Sequence, residues 1–509
     1  MGMTKTPLAM TGPAPQFLRR AGLARWAGLG LVAAALAGCA VGPDYATPGQ
    51  FLPGQWGNAR KTAKPLDVAR LGAWWKKLDD RRLNDIVERA VAGNLDVASA
   101  KARIREARAT RRQAIGALLP QVDGQGSATR SRSSAATSSS GSNITSSLYQ
   151  AGFDASFELD LFGANYRNVE ATTYGVDAAD EDLRATLLTL IGDVATNYIE
   201  ARGFQARVAL ARRTAASQRE TEKLTRNKFN AGSSSALDVE RAAAQAATTE
   251  AAIPTLEASY AQSLHQLGIL TGEAPTALAG LLGSGGPIPA ARGTPPAGIP
   301  ADVLVNRPDV RRAERQLAQA TAKIGQAEAA LYPSVSLTGK ISTTALKTGD
   351  LAKNSSIGWS FGPTLSVPIF NGGELRAAVE VAEAQRDQSD AALRLAVLTA
   401  LQDVENSLVN LAKERQRAGK LSAATNSFRE AARLSRTLYQ SGAASFLDVL
   451  DAERSLYSAE DTLLQSRVAV TSNFVALNKA LGGGWDKPVD VLQPRVVDTN
   501  TGPHPRAAY

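Results

Sequence analysis

Two periodicities take turns along this chain, and their order recurs. Tyr149, Ala151, Phe153, Ala155, Phe157, Leu159 and Leu161 alternate with Gln150, Gly152, Asp154, Ser156, Glu158 and Asp160. Period-2 alternation over more than ten residues predicts a strand with one apolar face. The same pattern returns where Ile357, Trp359, Phe361, Pro363, Leu365 and Val367 alternate with Gly358, Ser360, Gly362, Thr364 and Ser366. An outgoing segment precedes each, starting directly after Pro120 and after Pro333. In the second, Val335, Leu337 and Ile341 alternate with Ser336, Thr338, Lys340 and Ser342, whereas the first is mostly small and polar. Strands are therefore expected at about 121–132, 148–161, 334–343 and 356–368. The joining stretches 131–147 and 345–356 are rich in Ser, Thr, Gly and Asn, as solvent-facing loops are.

Around these strands the pattern is helical. Leu83, Ile86, Val87, Ala90 and Val91 form a stripe, the stretch from Asn94 to Asp96 breaks it, and a second helix runs to Leu119. No proline occurs from Gln121 to Ile253 or from Ile369 to Lys487. Leu183, Leu187, Leu190 and Val194 repeat at near-heptad spacing, as do Leu393, Val397, Leu401 (shifted by one) and Val404. A helix from Gly163 to Phe229 would be roughly 100 Å long at about 1.5 Å per residue, the length of a stave and not of a globular core helix. Pro254 predicts a kink in the return helix.

These elements occur twice. Gly232, Leu237, Asp238 and Val239 correspond to Gly442, Leu447, Asp448 and Val449, at two glycine-centred turns between long helices. Asn94-Leu-Asp-Val likewise corresponds to Arg307-Pro-Asp-Val, and Pro120 to Pro333. The expected organisation is a leader (1–38), an extended arm (39–72), a first repeat (73–281, tip about 229–238), a connector (282–300), a second repeat (301–484, tip about 439–448) and a tail (485–509). Four strands cannot close a membrane barrel, and an open edge in lipid would leave backbone groups unpaired at several kcal/mol each. The barrel must be shared between two, three or four chains.

Composition narrows the chemistry. The formal charge is +9, but four of those positive charges, Lys5, Arg19, Arg20 and Arg25, lie in residues 1–38, which hold no acid. The rest carries no basic run, which argues against nucleic acid. With two histidines, His265 and His504, and no nucleophile motif, no catalytic or metal site is expected and no cofactor. The lone cysteine, Cys39, excludes an intrachain disulfide. It ends Leu36-Ala-Gly-Cys39 after a basic, then apolar leader, the pattern of a lipoprotein signal peptide whose mature first residue is acylated. Met1-Gly-Met-Thr-Lys-Thr6 also fits a myristoylation pattern, which bacterial export overrides, and Met10 is an alternative start.

Cys39-Ala-Val-Gly-Pro-Asp-Tyr, Asn306-Arg-Pro-Asp-Val-Arg-Arg-Ala-Glu, Tyr332-Pro-Ser-Val-Ser-Leu, Pro368-Ile-Phe-Asn-Gly-Gly and Ala480-Leu-Gly-Gly-Gly-Trp span nearly the whole mature chain. Together they resemble the TolC-like outer-membrane efflux family, in its OprM/NodT lipoprotein branch. The resemblance implies a mixed α and β membrane protein: a homotrimer with a twelve-stranded barrel, four strands per chain, continuous with a periplasmic helical barrel. It implies a passive duct with no enzymatic activity, a periplasmic adaptor and an inner-membrane pump of the resistance-nodulation-division class as partners. It further implies a constriction and latch at Tyr439, Leu447, Asp451 and Arg454, with Asp448 beside them. Asp451 and Arg454 stand at i and i+3, close enough to pair. The first tip departs from this, since Arg241 stands where Asp451 would be, leaving Asp238 and Arg241 as its i,i+3 pair beside Leu237. Gly232 and Gly442 are turn glycines with positive φ and candidate docking points for the adaptor. Type I protein secretion is the alternative conduit. A coiled-coil brace of the envelope would need no alternating strands.

Overall fold

The computed structural model describes residues 40–49, 53–54, 56–57, 71–137, 143–291, 293, 300, 306–485 and 487–493. The leader, Cys39, and parts of the arm, connector and tail lie outside the described residues. After a 3-10 turn at Trp74–Leu78 come α1 (Arg81–Gly93), α2 (Leu95–Gly116), β1 (Gln121–Arg132), β2 (Thr145–Leu159), α3 (Ala164–Asn230) and α4 (Ala236–Thr271). A short helical turn, Ala279–Leu282, precedes α5 (Pro308–Ala329), β3 (Ser334–Ala345), β4 (Ile357–Ser366), α6 (Glu374–Ser441) and α7 (Phe446–Ala480). β1 and β3 each begin at the residue after a proline, as the change of period predicts. α4 continues through Pro254. Among the described residues no helix is long and apolar enough to cross a membrane.

The chain divides into two compact units that cut across the sequence halves. One takes the described residues of 1–45 with 112–172 and 320–386, and contains the sheet. Its four strands pair antiparallel in the order β1-β2-β3-β4. The register aligns Gly124, Phe153, Ile341 and Trp359 across the sheet, and Phe157 with Leu337 and Pro363. Cross-strand partners share a face, so one face carries Val122, Phe153, Phe157, Ile341, Trp359 and Phe361. The other carries Gln125, Asp154, Lys340 and Ser360. There Gln125 donates to Asp154, and the Lys340 ammonium lies 3.8 Å from the same carboxylate. Trp359 is 78% exposed and Phe361 69%. Within the described chain the outer edges of β1 and β4 have no strand partner.

The second unit, 46–111, 173–319 and 387–509 where described, is helical. Its core gathers Trp74, Trp75, Leu83, Ile86, Ile104, Ile191, Tyr198, Phe474 and Leu477. Trp75 stacks on Trp485 at 5.9 Å, and the Trp74 indole N–H donates to the Gly483 carbonyl at 3.0 Å. Asn94 caps α2 by accepting from the Asp96 and Val97 amides, while its own amide donates to the Leu270 carbonyl. Leu183, Leu187, Leu190, Val194, Leu393, Val397 and Val404 are buried as the heptad pattern requires. The remaining position is filled by Ala400, which is fully buried, and Leu401 is only partly buried. Helical phase outweighs side-chain size there.

Candidate functional site

The two helical tips are built alike. α3 is followed by Gly232 at φ +77° and α6 by Gly442 at φ +81°. Ser233 N donates to the Lys228 carbonyl and Ala443 N to the Leu438 carbonyl, both at 2.8 Å, closing each helix with a left-handed cap. A Cβ at either glycine would meet nothing within 4 Å. The backbone angle alone therefore accounts for the glycines. The returning helices start with capping boxes, in which Ser235 and Ser445 accept from the Asp238 and Asp448 amides. The two carboxylates answer by accepting from the serine amides and hydroxyls, with O–O distances of 2.7 Å. The Ser-x-x-Asp spacing carried this signal in the sequence, and the serines were missed. The Ser445 hydroxyl and amide hold the Asp448 carboxyl below its usual range.

The expected i,i+3 ion pairs do not form. Asp238 is committed to its cap, and Arg241 is exposed with no ion pair among the described residues. Asp451 is likewise exposed and unpaired there, while Arg454 Nε donates to Gln245 Oε1 on α4 at 2.5 Å. A contact to the facing helix has displaced the local pair. Tyr439 is 5% exposed, sits edge-on to Phe446 at 6.0 Å, and donates from its hydroxyl to Thr225 Oγ1 on α3. Lys228 lies over its ring at 4.6 Å and donates to its carbonyl at 2.7 Å. With Ala242, Val449 and Leu450 these residues form a small apolar cluster joining the two tips.

One turn further along, Arg436 on α6 donates to the Ser217 carbonyl, the Thr221 hydroxyl and the Glu453 carboxylate. It thereby ties α6 to α3 and α7. No sequence motif marks Arg436, because its partners are distant in the chain. Leu237 and Leu447, in the first turn after each tip, remain exposed. The tip is thus a pinned pair of hairpins whose outer surface shows two leucines, an unpaired aspartate and an arginine held by an amide. No group of three or more metal-ligating side chains occurs among the described residues.

Residues 86–273 and 299–483 match the family described as outer membrane efflux protein. The chain belongs to that family. The two matched stretches leave out 274–298 and each contain one strand pair and one tip. Nodulation protein T of Rhizobium leguminosarum bv. trifolii is 36% identical over 455 residues, covering 89% of this chain and 96% of that relative. The solvent efflux pump outer membrane protein SrpC of Pseudomonas putida is 34% identical over 461 residues, covering 88% and 96%. Among solved structures, the outer-membrane channel OprN is 35% identical with a TM-score of 0.81, covering 88% of this chain and all of that one. The likeness fixes the fold type: a mostly helical outer-membrane channel protein with a smaller strand region. This chain is an outer-membrane efflux channel, from a family whose members are not enzymes.

Proposed function

We propose that the chain is the exit duct of a tripartite efflux system, closing in threes and gated at the periplasmic helix tips. The observation that carries the reading is the sheet. One face is apolar and exposed, the other holds Gln125, Asp154 and Lys340, and both edges are open. Such a sheet suits lipid outside and water inside once neighbouring chains supply the missing edge pairing. Three chains of four strands make a twelve-stranded barrel, and the recurring order of strand pair and helical tip supports an internal duplication. A periplasmic adaptor and an inner-membrane pump of the resistance-nodulation-division class are the partners. Cys39 is the acylated mature N-terminus. Cargo is small molecules selected by the pump: one relative is named for solvents and another for nodulation, so the duct itself does not define them. Those names favour efflux over type I protein secretion.

At rest the duct is closed around Leu447 and Asp451. On a three-fold axis three exposed Asp451 carboxylates approach one another, and like charges at close range attract cations. The bond from Arg454 to Gln245 holds α7 against α4. In planar bilayers Arg454→Glu is expected to raise single-channel conductance. Divalent cations added on the periplasmic side are expected to block, and Asp451→Ala to relieve the block. Unchanged conductance and unchanged block in both variants would place the gate elsewhere.

A further inference from the structure

Arg167 lies in the first turn of α3, and its side chain is 4% exposed. Its Nε donates to the Val41 carbonyl at 3.1 Å, and Nη2 to the Gly42 carbonyl at 3.0 Å and to Asp44 Oδ1 at 2.9 Å. Nη1 is held by Glu170 at 2.8 Å, which fixes the guanidinium plane. One buried side chain thus reads three successive stations of the extended segment that follows Cys39. Such a planar fork spreads its donors over several acceptors, which a lysine cannot reproduce.

The socket around that segment is equally specific. Gly42 has φ +89°, and a Cβ there would stand 2.3 Å from Gly325 Cα on α5. A Cβ at Gly325 would meet the Val41 carbonyl at 2.8 Å, and one at Gly163 would meet Ala40 at 2.8 Å. Val41 N donates to the Phe162 carbonyl at 3.2 Å, three residues beyond the end of β2. Phe162 in turn stacks on Tyr332 at 4.6 Å, just ahead of β3. All of these residues belong to the unit that contains the sheet.

We propose that Arg167 is a positioning residue for the lipid anchor. It clamps residues 41–44 at the foot of β2, so that the acyl chains carried by Cys39 enter the bilayer at the periplasmic rim of the barrel. The inference rests on the acylation of Cys39 and on strands that span the membrane. Cys39 is one peptide bond from Ala40, so their Cα atoms are about 3.8 Å apart. A lipid tethered that closely meets the membrane where the strands do, at high effective concentration, whereas a lipid on a free arm does not.

The test uses the full-length protein with Arg167→Ala, Arg167→Lys and Gly42→Val, each with and without Cys39→Ser. Mass spectrometry of the N-terminal peptide is expected to show the same acylation in all three single variants. Hydrogen exchange at Val41 and protease cleavage within 40–49 are expected to rise several-fold in Arg167→Ala and in Gly42→Val, and less in Arg167→Lys. Recovery of assembled protein from outer membranes is expected to fall several-fold in the acylated Arg167→Ala and Gly42→Val variants. Adding either change to Cys39→Ser is expected to cause no further fall. An arm that stays protected in both variants overturns the clamp. An equal fall with and without the lipid overturns its link to the anchor and leaves Arg167 as a plain brace of α3. An unmodified Cys39 in the unaltered protein overturns the anchor reading itself, and is seen before any variant is made.

Discussion

Tyr439 and Asp448 show how single residues at the tip do work other than lining a lumen. Tyr439 fills the space between α3 and α6 and donates to Thr225. Truncating a buried aromatic costs about 3–5 kcal/mol, so Tyr439→Ala is expected to lower the local opening free energy of residues 436–450 by that order. Tyr439→Phe keeps the ring and loses one hydrogen bond, about 1 kcal/mol. Hydrogen exchange across the two tips separates these outcomes, and equal exchange in both variants would show that the ring contributes nothing. Asp448 gives a pH signature. Its folded carboxyl is held low by the Ser445 hydroxyl and amide, so the cap's contribution is complete above the unfolded carboxylate range. It is lost as pH falls through the lowered folded value. The difference in tip protection between the natural chain and Asp448→Asn, compared at matched pH, is therefore expected to be present at neutrality and to close in acid. A difference that persists at low pH would count against the charge as its source.

At the scale of elements, the sheet's two faces make opposite demands. Phe361 lies on the apolar face, 69% exposed in the chain, and its neighbour Ser360 lies on the face that carries Lys340. Placing arginine on a lipid-facing position near the bilayer midplane costs about 2–4 kcal/mol. Phe361→Arg is expected to lower unfolding stability in phospholipid vesicles by that amount, and Ser360→Arg to change it little. Equal costs at both positions would mean that the faces are not divided between lipid and water. The long helices obey a different rule. Their stripes need an apolar residue at each heptad step, and Ala400 meets it by lying in phase with Val397 and Val404 although the larger Leu401 is next to it.

For the whole molecule, the proposed assembly pairs the open edges of β1 and β4 between chains. Single cysteines scanned along 123–131 and 358–364, in a Cys39→Ser background, are expected to yield disulfides between chains when one from each strand is combined. The ladder on denaturing gels should end at three chains. Crosslinks confined to single chains, or a ladder that stops at two, would overturn the shared twelve-stranded barrel. The two compact units also differ from the sequence repeats, because each draws helices from both halves of the chain. Compactness groups elements that lie side by side, whatever their order along the chain.

Sequence alone determined what depends on near neighbours. Alternation marked β2, β3 and β4, whereas the small, polar β1 was signalled only by its place after Pro120. Heptad stripes and the absence of proline marked the staves, and paired glycines marked the tips. The Ser-x-x-Asp caps went unread although both partners sit within one turn. Only the tertiary structure decided the rest. Arg454 meets Gln245 and not Asp451, Tyr439 is buried against Thr225, and Arg436 binds Ser217. Arg167 grips a segment more than 120 residues upstream. An i,i+3 spacing says only that two side chains can reach each other. Which partner each takes depends on the helix brought alongside, and separations of about 200 residues leave no local pattern to read.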